Sequence, residues 1–351
     1  MASIFLPRSI RIGGGTIAEL PAALAQFGLT APAILTDPFL AQNGTLDRLL
    51  AILADAGIAA RAYCDVISDP TVASVEAARD FVAEAAHDCV IALGGGSPID
   101  TAKAVAVLAA RGGTMRERKV PHQEDAPALP IVAIPTTAGT GSEATRVTVI
   151  TDEANDEKML CAGLAYLPTI AIVDYELTLT KPLRLTADTG IDALTHAIEA
   201  YVSRLANPFS DGMALAAMRA IWPNLRTACA EPGNRAAREA MMAGSLQAGI
   251  AFSNASVALV HGMSRPIGAH FHVAHGLSNA MLLPAVTAWS APAALPRYAD
   301  CARAMGLAAE GEGDQAAVAR LVEALRDVNR DLAVPTPKSY GIDEARWTEL
   351  L

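Results

Sequence analysis

A parallel α/β domain over residues 1–178, followed by an all-helical domain over residues 179–351, is what this sequence predicts. Through the first half, short apolar runs that end in Gly, Asp or Thr alternate with stretches whose apolar residues recur at helical spacing. Past about residue 178 the strand-like runs fade and only helical patterns remain. Between the two, "LTLTKPLRLT" (177–186) carries Lys181-Pro182, which interrupts both patterns.

The strand candidates are "APAILTD" (31–37), "DCVIALGG" (88–95), "LPIVAIPTT" (129–137) and "TIAIVDYE" (169–176). Between them, "TLDRLLAILADAG" and "TVASVEAARDFVAEAAHD" repeat apolar residues on one helical face, as a doubly wound sheet requires. In the second half, "TADTGIDALTHAIEAYVSR", "SDGMALAAMRAIWPNLRTACA" and "NRAAREAMMAGSLQAGIAFSNAS" read as helices separated by Pro, Gly or Asn.

Bulk properties narrow the function. The 351 residues suffice for two cores, and 52% hydrophobic with 18% charged residues describes a packed globular chain. A formal charge of −10 without a basic stripe speaks against nucleic acid. No apolar run reaches the roughly 18–20 residues of a spanning helix, and no secretory signal opens the chain. Five scattered cysteines without a CxxC pair predict reduced thiols and a cytoplasmic location.

Two stretches carry the chemistry. In "VIALGGGSPIDTAKAVAVL" a strand runs through three glycines into a helix, so Gly95, Gly96 and Ser97 present free amides suited to a diphosphate. A plain strand-to-helix turn is the alternative. "IPTTAGTGSEAT" (134–145), with Thr136 and Thr137, adds a second hydroxyl-rich strand end. Asp37 in "ILTDP" either opens a turn before Pro38 or accepts from ribose hydroxyls and repels a 2′-phosphate, favouring NAD over NADP. All three loops follow strand carboxyl ends, and together they predict an α/β N-terminal dinucleotide-binding domain.

The second stretch lies in the helical half. "DTGIDALTHAIEAY" sets Asp192 and His196 four residues apart on one helical face, a spacing that also suits a surface pair. "VALVHGMS" adds His261 and "VAHGLSNAMLLP" adds His275, each either a core imidazole or a ligand. Three imidazoles and one carboxylate suit Fe²⁺ or Zn²⁺, making this an all-α C-terminal metal-binding domain.

In combination and in this order, "GGGSPIDTAKA", "IPTTAGTGSEAT", "DALTHAIEAY" and "HGMSRPIG…HVAHGLSNAMLLP" resemble the iron-containing (group III) alcohol dehydrogenase family, up to about residue 290. The resemblance implies that Asp192, His196, His261 and His275 are metal ligands. It also implies that Asp37, Gly95, Gly96, Ser97, Asp100, Thr136, Thr137 and Lys158 lie at or near a nicotinamide dinucleotide. The implied reaction is hydride transfer between NAD(H) and a primary alcohol/aldehyde pair, in a cleft between the domains of a homodimeric enzyme. A lyase like dehydroquinate synthase and an enzyme like maleylacetate reductase are the alternatives within the wider superfamily.

The chain departs from the family pattern twice. It stops at "IDEARWTELL", where relatives continue for another helix or so, so the C-terminus is expected to be either naturally short or truncated. Arg265 stands one turn after His261, where many relatives carry a proton-passing histidine. Arginine stays protonated and cannot shuttle a proton at neutral pH. It is either structural or the partner of an acidic substrate tail, which leaves His270 and His272 as candidate proton carriers or as helix-end histidines.

Overall fold

The structure, a computed structural model, describes residues 2–342 and 347. Eight strands are present among them: β1 (Ser9–Ile12), β2 (Pro32–Thr36), β3 (Arg61–Tyr63), β4 (Cys89–Gly94), β5 (Ile131–Pro135), β6 (Val147–Asp152), β7 (Glu157–Ala162) and β8 (Ile170–Val173). Five helices fall between them: α1 (Leu20–Gln26), α2 (Pro38–Gln42), α3 (Thr45–Asp55), α4 (Val72–Ala83) and α5 (Gly96–Arg111). The second half holds α6 (Leu183–Val202), α7 (Pro208–Ala230), α8 (Arg235–Ser253), α9 (Leu259–Phe271), α10 (His275–Ser290), α11 (Leu295–Ala304), α12 (Asp314–Asp331) and α13 (Pro337–Tyr340). The chain forms two compact units, one spanning Phe5–Thr137 and Gly141–Thr178, the other Leu179 onward together with Ala138–Thr140 and a short N-terminal piece.

Within the α/β unit, six parallel strands take the order β1-β8-β5-β4-β2-β3. The alternation of side chains decides how both faces are covered. Leu35, Val90, Ala92 and Ala133 point to the face covered by α4 and α5, where Val75, Ala102 and Val105 meet them. Ile34, Ile91, Leu93, Val132 and Ile172 point to the other face, against Leu20, Leu24, Leu49 and Leu53 of α1 and α3. All four strands read from the sequence are present.

The sequence pattern does not announce β1, the short β3 or the β6–β7 antiparallel hairpin. Within the hairpin, the strand "VTVITD" alternates half-buried and buried residues, the period-two signal of a sheet with one covered face. The helix expected across 71–88 closes early, at Ala83.

The strand order makes a switch point. The chain leaves β2 toward β3 at one edge and leaves β4 toward β5 on the other side, while β2 and β4 pair in parallel from Pro32↔Cys89 to Thr36↔Leu93. Ligands of open α/β sheets bind outside the strand carboxyl ends at such a point. Asp37 follows β2, the glycine loop follows β4, and Thr136 follows β5.

The helical unit buries one continuous core, including Ile191, Leu194 and Ile198 of α6, Ile221 and Leu225 of α7 and Met241 of α8. Gly190 on α6 is required by close packing, because a Cβ there would lie 2.4 Å from Leu225 Cδ1. Among the described residues no helix is long and apolar enough to cross a membrane. The expectation of a short C-terminus concerns the end of the chain, outside the described residues.

Candidate metal centre and nucleotide loops

Asp192 and His196 sit on buried turns of α6, His261 on the first turn of α9, and His275 opens α10. One ligand atom from each lies within 4.8 Å of the others. Two ligands about 2.1 Å from one ion are at most about 4.2 Å apart, so a small contraction closes the set around a single cation. Asp192, His196 and His261 are almost fully buried. The His275 side chain is 41% exposed, which leaves the set open on that side.

Electrostatics agree with a cation site. Burial pushes the Asp192 carboxyl up, but the imidazoles of His196, His275 and His261 outweigh it and hold the group below the usual carboxylate range. Burial lowers His196 to about 3, so its ring is a neutral donor at neutral pH. Its Nδ1 is buried without a hydrogen-bond partner, with the Gly139 main chain near but outside hydrogen-bond geometry. The ring lies between stacked neighbours, Phe252 at 4.3 Å and His261 at 4.4 Å between centroids.

Two further residues, not singled out in the sequence, complete the centre. The Glu199 carboxylate accepts from the Val260 amide at 2.6 Å, the His261 amide at 3.3 Å and His261 Nδ1 at 2.7 Å. Ala258, the N-cap of α9, offers no side-chain cap, so Glu199 supplies from α6 the acceptor that the helix start lacks. By taking the Nδ1 proton it leaves Nε2 of His261 as the free lone pair. Glu199 lies three residues after His196 in "HAIEAY", a helical spacing that could have revealed it.

Asn279 lies four residues after His275, the same kind of signal. Its Nδ2 donates to Asp192 Oδ1 at 2.7 Å and lies 3.0 Å and 3.3 Å from Nε2 of His261 and His275. Three acceptors thus converge on one electropositive atom, the arrangement a cation of their own would satisfy. The donor set and this convergence fit a divalent first-row metal.

Glu199→Gln tests the tautomer. It keeps the shape but offers an amide N–H toward His261 Nδ1, favouring the tautomer whose Nε2 is protonated. The metal dissociation constant is expected to rise about 10- to 100-fold by competition with a chelator, and unchanged affinity would remove Glu199 from this role.

Arg265, His270 and His272 lie further along α9. Arg265 is partly buried, one turn beyond His261. His270 is exposed in the last turn, and His272 is the exposed C-cap with φ 53. Neither histidine belongs to the ligand cluster.

In the α/β unit, Gly95 is the N-cap of α5 without a side-chain cap, so the first amides of this helix are open to an anion. A Cβ on Gly95 would stand 3.3 Å from Thr137 Oγ1, which brings the second loop against the first. The Thr136 amide donates to Gly94 O at 2.9 Å. Asp37 is the N-cap of α2 and accepts from the Leu40 amide through Oδ1, so the turn reading holds at that oxygen.

Lys158, the most loosely aligned residue, reaches the glycine loop through an intermediary. Its Nζ donates to Asp69 Oδ1 at 2.9 Å, and the Asp69 amide donates to Ser97 Oγ at 3.2 Å. Asp100, expected at or near the cofactor, has both carboxylate oxygens engaged within the protein: one accepts from Ser142 Oγ and the other from the Val149 amide. The physical reason is Lys103, wholly buried on the same helix, whose Nζ donates to Ser142 Oγ, to Thr145 O and Oγ1, and to Val147 O. Burial lowers Lys103 to about 8 and raises Glu143 beside it to about 7. Asp100 and Lys103 together tie "GTGSEAT" to the helix behind the glycine loop.

Comparison with known proteins points the same way. The family described as iron-containing alcohol dehydrogenase matches residues 7–175, and its C-terminal counterpart matches residues 186–350. Long-chain-alcohol dehydrogenase 1 of Geobacillus thermodenitrificans is 39% identical over 354 residues, covering 100% of this chain and 89% of its own. NAD-dependent methanol dehydrogenase of Bacillus methanolicus is 37% identical over 96% of this chain and 88% of its own. The crystal structure of a 1,3-propanediol oxidoreductase superposes with a TM-score of 0.96 at 34% identity, covering 100% of this chain and 92% of that one.

Proposed function

The chain belongs to the iron-containing alcohol dehydrogenase family, and from that premise we propose that it interconverts a small primary alcohol and its aldehyde using Fe²⁺ and NAD(H). The chain is a metal-dependent oxidoreductase of the alcohol/aldehyde class. The convergence of Asp192, His196, His261 and His275 carries the proposal. When bound, the divalent ion, Fe²⁺ or in the alternative Zn²⁺, supplies a Lewis acid that polarises a carbonyl or acidifies an alcohol.

The chain's own residues do the rest. Asp192 contributes the one negative charge of the ligand set. Glu199 holds His261 in the tautomer that presents Nε2. The open amides at the start of α5, with Gly95, Gly96 and Ser97, are proposed to bind the diphosphate, with Thr136, Thr137 and Lys158 around it. The Asp37 oxygen not used in capping is proposed to accept from a ribose hydroxyl, which favours NAD over NADP. His270 and His272, exposed past Arg265, are the candidates to exchange a proton with solvent. A homodimer in the cytoplasm completes the proposal, supported by the family resemblance and by five unpaired cysteines.

The test is anaerobic, aldehyde-dependent oxidation of NADH and of NADPH by protein loaded with Fe²⁺ or Zn²⁺. NADH is expected to be preferred. Asp37→Asn, which keeps the helix cap while removing the charge, is expected to lower that preference by about tenfold. If metal-loaded protein oxidised neither cofactor with any short aldehyde, the proposed reaction would be wrong.

A further inference from the structure

Arg265 is a partly buried functional candidate that neither the metal centre nor the nucleotide loops absorb. It stands four residues after His261 on α9, so both side chains leave the same helical face, separated by just over one turn, or about 6 Å of rise. Its guanidinium makes no hydrogen bond or ion pair among the described residues. It is nevertheless withdrawn from bulk water: burial lowers its pKa, and Glu199, the carboxylate beside His261, is the one charge that pulls it back up. The side chain therefore lies toward the Glu199–His261 end of the centre. Glu199 itself is engaged by two amides and the His261 ring and makes no hydrogen bond to the guanidinium.

A partly buried guanidinium without a bonded partner bears a desolvation cost that the charge of Glu199 offsets only in part. Its five donors, fixed in a planar fork, match an oxyanion group bidentately. From this geometry, and resting on the alcohol/aldehyde reading above, we infer that Arg265 binds the anionic tail of the substrate. The substrate class is an aldehyde, or the corresponding alcohol, with a carboxylate, sulfonate or phosphonate a few bonds from the reacting carbon. One helical turn between His261 and Arg265 sets that spacing. The polar fork also disfavours a purely aliphatic tail, which would leave it unpaired.

Two four-carbon aldehydes differing only in the tail, succinic semialdehyde and butanal, provide the test with NADH and metal-loaded protein. The unmodified enzyme is expected to favour succinic semialdehyde in kcat/KM by about 100-fold. Arg265→Met is expected to abolish that preference, by raising KM for the acid and by raising kcat/KM for butanal a few-fold as the unpaired fork is removed, while leaving metal content unchanged. Arg265→Lys is expected to restore part of it, as a point charge without the fork.

A second arm is independent of turnover. Binding of 4-hydroxybutanoate to metal-loaded protein without nucleotide, measured by calorimetry, is expected to weaken more than about tenfold in Arg265→Met. The alcohols of matching length ending in sulfonate or phosphonate then rank the anionic groups. Equal use of both aldehydes by the unmodified enzyme, or loss of both alike in the variant, overturns the inference and leaves the alcohol/aldehyde reading standing. Should neither aldehyde be turned over, that reading falls and the binding arm decides alone. Weakened binding in Arg265→Met then sustains the inference, and unchanged binding overturns it.

Discussion

Asp192→Ala is expected to leave the helical unit folded but without its metal, and to lower aldehyde-dependent NADH oxidation by about a thousandfold or more. Asp192 is the anionic member of a set whose other three donors are imidazoles, so its loss leaves a dication facing neutral ligands. It also removes the acceptor of the 2.7 Å bond that places Asn279 against His261 and His275. The fold itself should tolerate the change, because alanine is a good helix former and the buried carboxylate disappears with its desolvation cost. Metal content by atomic emission, helicity by circular dichroism and the NADH rate read these effects separately. A variant that kept its metal while losing activity would show that Asp192 acts on the substrate and is not a ligand.

The second large effect is expected in the α/β unit, at the end of β4. Gly94 has φ 155, and a Cβ built on it would lie 2.4 Å from Cγ and 2.8 Å from Cβ of Pro98. The proline ring sits in the first turn of α5 and cannot rotate away, so Gly94→Ala has to move the loop or the helix. Strained backbone and overpacking together are expected to cost about 3 kcal/mol or more and to abolish NADH binding.

Gly95→Ala is the informative control. At Gly95 φ is −76, and the nearest atom to an added Cβ is the hydroxyl of Thr137 at 3.3 Å, which can turn aside. That variant should stay within about 1 kcal/mol of the unmodified stability, yet bind NADH less tightly because the backbone no longer approaches the diphosphate as closely. Urea denaturation and NADH fluorescence titration separate the two outcomes. Equal stability of both variants would count against the Gly94–Pro98 collision as the reason for glycine there.

Much of this architecture is written locally. The apolar runs ending at Thr36, Gly94 and Pro135 announce buried parallel strands because a strand covered on both faces needs no polar side. Asp192 and His196 announce a shared face because their spacing matches one helical turn. Glu199 and Asn279 obey the same spacing rule relative to His196 and His275, but a lone Glu or Asn in a helix more often faces solvent, so the rule alone does not single them out. The β6–β7 hairpin escapes the sequence for a different reason: its two strands pair with each other apart from the main sheet, and its turn lacks the Asn-Gly or Asp-Gly signal of a tight hairpin.

By itself, then, the sequence determined the two classes of secondary structure, the glycine turn and the identities of four metal-ligand candidates. The first two depend on residues within a few positions of one another, where backbone geometry fixes the spacing, whereas the four ligand candidates come from three separate segments and are joined by the order of motifs the chain shares with the family. Only the tertiary structure decided that β2 and β4 are neighbours at a switch point and that Glu199 caps α9 and sets the tautomer of His261. It alone decided that Asp100 joins the Lys103 and Ser142 network, and that Arg265 lacks a partner among the described residues. Those are relations between segments tens of residues apart. They follow from how buried faces pack and how buried charges find partners, which no local period encodes.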